Sequence, residues 1–203
     1  MWLTRFTAWV LLLRLAVTLA NVNLPDLEVA TGKNSSRPFT IKVLKMICVN
    51  QPYAYTVVKT CKAKLARNQP AKLNLAFDIQ RPVNSMYLSY VLNYKYTTYK
   101  PLLFDDSFDM CRFMAEQGGG TNVLMNFMYK IATSQITWLH KCPYVGLQNM
   151  SDFVLDEGLM PSFLPAGDFR ADTRIFDKAN ETIVDFQIFY SVRAKGLFDL
   201  SMG

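Results

Sequence analysis

Residues 105–109 read Asp105-Asp106-x-x-Asp109, a spacing that some enzymes use to hold magnesium against a diphosphate. Such a site needs several carboxylates converging on the metals inside a deep, mostly helical pocket. Here the aspartates sit among strand-like sequence with little helix around them. The plainer expectation is that Asp105 or Asp106 caps a helix. Asp109 then lies in its first turn, where the helix dipole favours a carboxylate. No metal and no other cofactor is expected.

The sole histidine, His140, stands two residues before Cys142. A Cys–His pair can form an activated thiolate, but cysteines of an exported chain are expected as disulfides, which removes the nucleophile. A serine nucleophile has only this histidine to use, and there is no G-x-S-x-G turn. Gly118-Gly119-Gly120 has no Gly-Lys-Ser/Thr after it, so it reads as a hinge between helices and not as a phosphate loop. These residues point away from an enzyme.

The four cysteines are Cys48, Cys61, Cys111 and Cys142, without the close C-x-x-C spacing of a zinc site. Four cysteines allow three pairings; joining sequence neighbours, Cys48–Cys61 and Cys111–Cys142, is the favoured one. N-x-S/T sequons at Asn34, Asn149 and Asn180 are candidate glycosylation sites and fit the same oxidising compartment.

Export is expected from the first twenty residues, MWLTRFTAWVLLLRLAVTLA: an early Arg5, an apolar stretch and a small-residue exit at Thr18-x-Ala20. Arg14 interrupts that stretch, and Phe6 to Leu13 is too short to cross a bilayer, which takes about 20 apolar residues. Residues 1–20 therefore read as a signal peptide, and the mature chain is expected to be secreted with no integral membrane segment. Loss of Arg5 and Arg14 lowers the net charge from +6 to +4. The remaining cations are scattered, with Lys59 to Arg67 the densest run. A nucleic-acid partner is not expected for an exported chain; a weak attraction to acidic membrane or glycan surfaces stays open.

The elements that must position any site come from periodicity. Hydrophobic residues make up 51% of the chain and charged residues 19%, enough apolar mass for a real core. Residues 21–38 read as an irregular lead-in. From Phe39 onward the pattern alternates: FTIKVLKMICV, YTVVKTCKAKLAR, KLNLAFDIQ and NSMYLSYVLNYKYTTY each place apolar residues on one face. Such alternation predicts half-buried strands, with Arg81-Pro82-Val83-Asn84 as a turn. The period then changes, predicting a helix over Ser107–Gln117 and another over Val123–Gln135, a two-helix insertion at about 105–136. Strands resume later, the last carrying Val184, Phe186, Ile188, Tyr190 and Val192 on one face. The chain is thus expected to be mainly β, a single β-sandwich domain over 39–203 with about seven or eight strands. Tyr90, Phe127 and Phe186, with Leu88, Leu92 and Ile188, are either plain core or the lining of a cavity for a lipid-like ligand. A linear pattern does not separate the two.

The stretch YKPLLFDDSFDMC resembles the G-Y-(K/R)-P-F-L-x-N-x-x-x-D-x-C signature of a large insect family of small secreted proteins, expanded in flies and long labelled a domain of unknown function. CKAKLAR (61–67), QRPVN (80–84), LHKCPY (139–144) and LPAGDFR (164–170) resemble further blocks of that family in the same order. Thr98 stands where the family usually has glycine, Leu102 replaces phenylalanine and Asp105 replaces asparagine. The family is related to insect chemosensory CheA- and CheB-type proteins and, distantly, to the ganglioside-activator type of lipid-recognition sandwich. The resemblance implies an immunoglobulin-like, lipid-recognition-type cup. It implies an extracellular, non-enzymatic protein that binds a hydrophobic small molecule or lipid. An extracellular interaction module with a filled core, gripping a protein partner through its loops, is the alternative.

Overall fold

Alternating apolar residues form strands because a pleated chain sends successive side chains to opposite faces, so one face can be buried whole. The computed structural model describes residues 37–116, 136, 139–155, 157–160 and 164–195. The chain divides between Ser36 and Arg37, and the described residues all lie in the C-terminal unit. The leader, most of the lead-in, Asn34, Phe127 and the expected second helix fall outside the described residues.

Eight strands are described: β1 Phe39–Cys48, β2 Thr56–Lys64, β3 Lys72–Val83, β4 Met86–Lys95, β5 Tyr99–Asp109, β6 Tyr144–Val154, β7 Gly167–Asp177 and β8 Thr182–Ala194. They form two antiparallel sheets, a five-stranded one in the order β1-β8-β7-β4-β5 and a three-stranded one in the order β2-β3-β6. Leu73, Leu75, Phe77 and Ile79 of β3 share one core with Val43, Phe169, Ile175 and Tyr190 of the larger sheet. The fold is a β-sandwich.

Two segments differ from the sequence reading. Arg81, Pro82 and Val83 are not a turn but the end of β3, whose pairing with β6 shifts register between Ile79 and Val83. That irregularity accommodates a proline, which cannot donate to a ladder. The helix over Ser107–Gln117 is also shorter than its periodicity implies. The chain from Tyr99 runs back along β4 as β5, and the helix, α1, covers only Met110–Ala115. Its cap is Asp109, which accepts the Arg112 N–H at 2.9 Å, not Asp105 or Asp106. Pairing with β4 outweighs local helical spacing here, so the insertion begins at Met110 and not near 105.

The two disulfides sit on opposite flanks of the sandwich. Cys48 on β1, an edge of the larger sheet, is bonded to Cys61 on β2, an edge of the smaller, with Cα atoms 5.9 Å apart. Cys111 on α1, directly after the other edge strand β5, is bonded to Cys142, just before the other edge strand β6, at 5.4 Å. Beside the first bond, the Tyr53 hydroxyl accepts the Asp185 N–H at 3.0 Å and lies 2.7 Å from Val49 O. Beside the second, the buried Tyr144 hydroxyl donates to His140 O at 2.5 Å and accepts the His140 N–H at 3.1 Å.

At the β7 entrance Gly167 leaves no room for a side chain. A Cβ there would meet the Tyr94 ring, whose hydroxyl donates to Ala166 O at 3.0 Å. The glycine of the LPAGDFR block is what lets Tyr94 lie across that turn.

Candidate functional site

Strand register fixes which side chains share the inner face of the five-stranded sheet. Phe186 pairs with Thr173 and Thr173 with Tyr90. One step along, Ile188 pairs with Ala171 and Ala171 with Leu92; on the other side, Ile175 joins Val184 to Leu88. Leu88, Tyr90, Leu92, Phe186 and Ile188 therefore lie together on one face, turned toward the smaller sheet. The sequence reading named these five as a cavity lining; the sixth, Phe127, is outside the described residues.

Their burial is uneven. Leu92 is 3% exposed and belongs to the closed core, whereas Leu88, Tyr90, Phe186 and Ile188 are only half-buried. Side chains at the middle of an inward face are normally covered completely. Around them Val184, Ile175, Phe169 and Val192 are fully buried. The half-buried group forms a patch packed against that core.

Two tyrosines give this patch its polarity. Burial, with help from the negative charge of Asp172, pushes the Tyr90 phenol up to about 12. Burial likewise pushes Tyr190 up, and Tyr90 lies within electrostatic reach of it. Tyr190 is 2% exposed and its ring stacks on Phe169 with centroids 5.4 Å apart. Both phenols are neutral near pH 7 in surroundings of low polarity. Tyr190 and Thr173 were absent from the expected lining, although Tyr190 continues the alternating series Val184, Phe186, Ile188 that placed its neighbours.

The other candidate chemistry is arranged differently. His140 places Nδ1 2.6 Å from Lys141 O and stacks its ring on Tyr144, and Cys142 is held in its disulfide. They do not form a thiolate–imidazole pair. Asp109 is spent on the α1 cap and the backbone of residues 105 and 106 is strand. Among the described residues no three His, Cys, Asp or Glu side chains gather as metal ligands. No helix among them is long and apolar enough to cross a membrane. Asn149 is exposed on β6, and Ser151 Oγ donates to its side-chain oxygen at 3.1 Å. Asn180 is exposed in the β7–β8 turn, where its side-chain oxygen accepts from Arg174 at 2.9 Å.

Residues 88–171 match the model of a family described as "Protein of unknown function (DUF1091)". That span contains the Tyr99–Cys111, Leu139–Tyr144 and Leu164–Arg170 blocks. Comparison with curated proteins finds no match. Among solved structures, the chain is similar to a Niemann-Pick type C2 protein from Japanese carpenter ant. The identity is 10% and the TM-score 0.27, with 68% of this chain and 88% of that chain covered.

Proposed function

We propose that this protein is a secreted, non-enzymatic binding protein for a lipid or other small hydrophobic ligand, held between the two sheets. One observation carries the reading: Leu88, Tyr90, Phe186 and Ile188 are only half-buried on the inward face of the larger sheet. An apolar chain lying against them completes their burial, at about 0.8 kcal/mol per CH₂ removed from water. The disulfides support an oxidising compartment, since all four cysteines are paired. The exposed Asn149 and Asn180 support glycosylation in the same compartment. The resemblance of the motif blocks to small secreted proteins, and more distantly to lipid-recognition sandwiches, supports the same reading.

Displacement of a fluorescent fatty-acid probe from the purified, oxidised protein tests it. Lipids are expected to displace the probe, and Ile188→Phe, which adds bulk to that patch, is expected to weaken displacement about tenfold with little change in stability. In a filled core the same substitution is overpacking and costs about 1–3 kcal/mol. No displacement by any lipid class, together with a destabilised Ile188→Phe protein, overturns the proposal and favours the filled-core interaction module.

A further inference from the structure

Among the described strands β6 is an edge of the smaller sheet. Such an edge offers unpaired N–H and C=O groups to another chain, and proteins commonly blunt it with charge or proline. Tyr144 to Ser151 of β6 contain neither. The outward side of that sheet is also apolar. Of the six large apolar side chains exposed among the described residues, three lie there: Leu147 at 62%, Val145 at 51% and Val57 at 46%. Strand register gathers them. Leu147 pairs with Asp78 and Asp78 with Val57, so they form one row, with Asp78 its charged member. Val145 stands two residues before Leu147 and alternates onto the same face. An uncharged, proline-free strand of this kind is prone to pair chain to chain.

Asn149 stands inside this patch. It pairs with Ala76 and Ala76 with Thr60, the row beside Leu147 on the same outer face. Two residues of strand put Asn149 about 7 Å from Leu147. Asn149 and Ser151 are both exposed and frame an N-x-S sequon, in which Ser151 Oγ donates to the Asn149 side-chain oxygen at 3.1 Å. A glycan on that nitrogen is bulky and solubilising. Asn180 makes the contrast: its sequon stands in a turn beside Arg174, Asp177 and Glu181, a polar setting that calls for no cover.

We propose that Asn149 carries an N-linked glycan that covers Leu147, Val145 and Val57 and bars the β6 edge from pairing with a second copy of the chain. The inference rests on the secreted reading above and adds to it the surface that the modification guards.

The test expresses the full chain in a eukaryotic secretory host and weighs the peptide containing Asn149 from the medium. Asn149 is expected to be occupied and the secreted protein to sediment as a monomer. Ser151→Ala removes the sequon and keeps Asn149. That variant is expected to self-associate about tenfold more tightly, a factor that burial of one leucine side chain supplies. Adding L147T to S151A is expected to restore the monomer, and N180Q, at the polar sequon, to remain one. Where S151A is held inside the cell, recovery of secretion in S151A/L147T reads the same effect. A bare Asn149 on secreted protein, a monomeric S151A, or association that survives L147T overturns the inference. A bare Asn149 with a wild-type dimer that L147T dissociates assigns the face to a second copy instead. Association of N180Q as strong as that of S151A overturns it too, because the effect then belongs to any lost glycan. A chain that never reaches the medium defeats the secreted reading, and this inference with it.

Discussion

Asp177 shows how single side chains hold the ends of the larger sheet. Its Oδ1 accepts the Ala179 and Glu181 N–H groups at 2.8 and 2.9 Å, closing the β7–β8 turn. Its Oδ2 accepts the Tyr55 hydroxyl at 2.9 Å, reaching across to the segment that leads into β2. The Arg81 guanidinium covers the Tyr55 ring at 3.9 Å. Burial works against the charged carboxylate, but the N–H groups of Glu181 and Ala179, the Tyr55 hydroxyl and Arg81 outweigh it. The folded pKa therefore lies below the ordinary 3.8. A depressed carboxylate adds stability above its unfolded pKa and loses it as the pH falls through the folded value. Asp177→Asn is expected to cost about 1–3 kcal/mol near pH 7 and to flatten the acid limb below pH ~4. Urea unfolding across that range reads both effects; an unchanged acid limb refutes the account. Sequence shows none of this, because the partners lie 122 residues apart along the chain.

At the level of elements, the strands were legible because one buried face forces period two. β3 is the plainest case, with Leu73, Leu75, Phe77 and Ile79 all within 2% exposure. β5 was not legible. Its residues carry a helical spacing and an acidic cluster, and only the neighbouring β4 reveals them as strand. The helix that remains is six residues long, too short to be stable alone, so α1 depends on its cap and its disulfide. Asp109→Ala is expected to cost about 1 kcal/mol, measured by urea unfolding of the oxidised protein. A cost near zero means that Cys111–Cys142 alone fixes the segment. That the residues of the proposed lining share a face was legible for the same reason as the strands. Five residues on alternating positions necessarily share a face, but whether that face is covered depends on the opposite sheet, which no linear pattern encodes.

For the whole molecule, the two sheets meet through one apolar core and are tied along both open sides by sulfur. The bonds close segments of different length, with sequence separations of 13 and 31. Constraint of the unfolded chain then gives about 3 kcal/mol for Cys48–Cys61 and about 3.7 kcal/mol for Cys111–Cys142. Replacing each pair by serines is expected to lower stability in that order, read by thermal or urea unfolding of the two variants. A reversed order shows that contacts in the native sandwich, and not loop length, set the difference. The placement has a further consequence where a peptidase cuts the chain. A single cut anywhere between Cys111 and Cys142 leaves the two pieces covalently joined. A single cut in the span from Lys62 to Met110 parts them entirely once the sandwich unfolds. The stretch joining β5 to β6 can therefore be nicked and still remain one molecule.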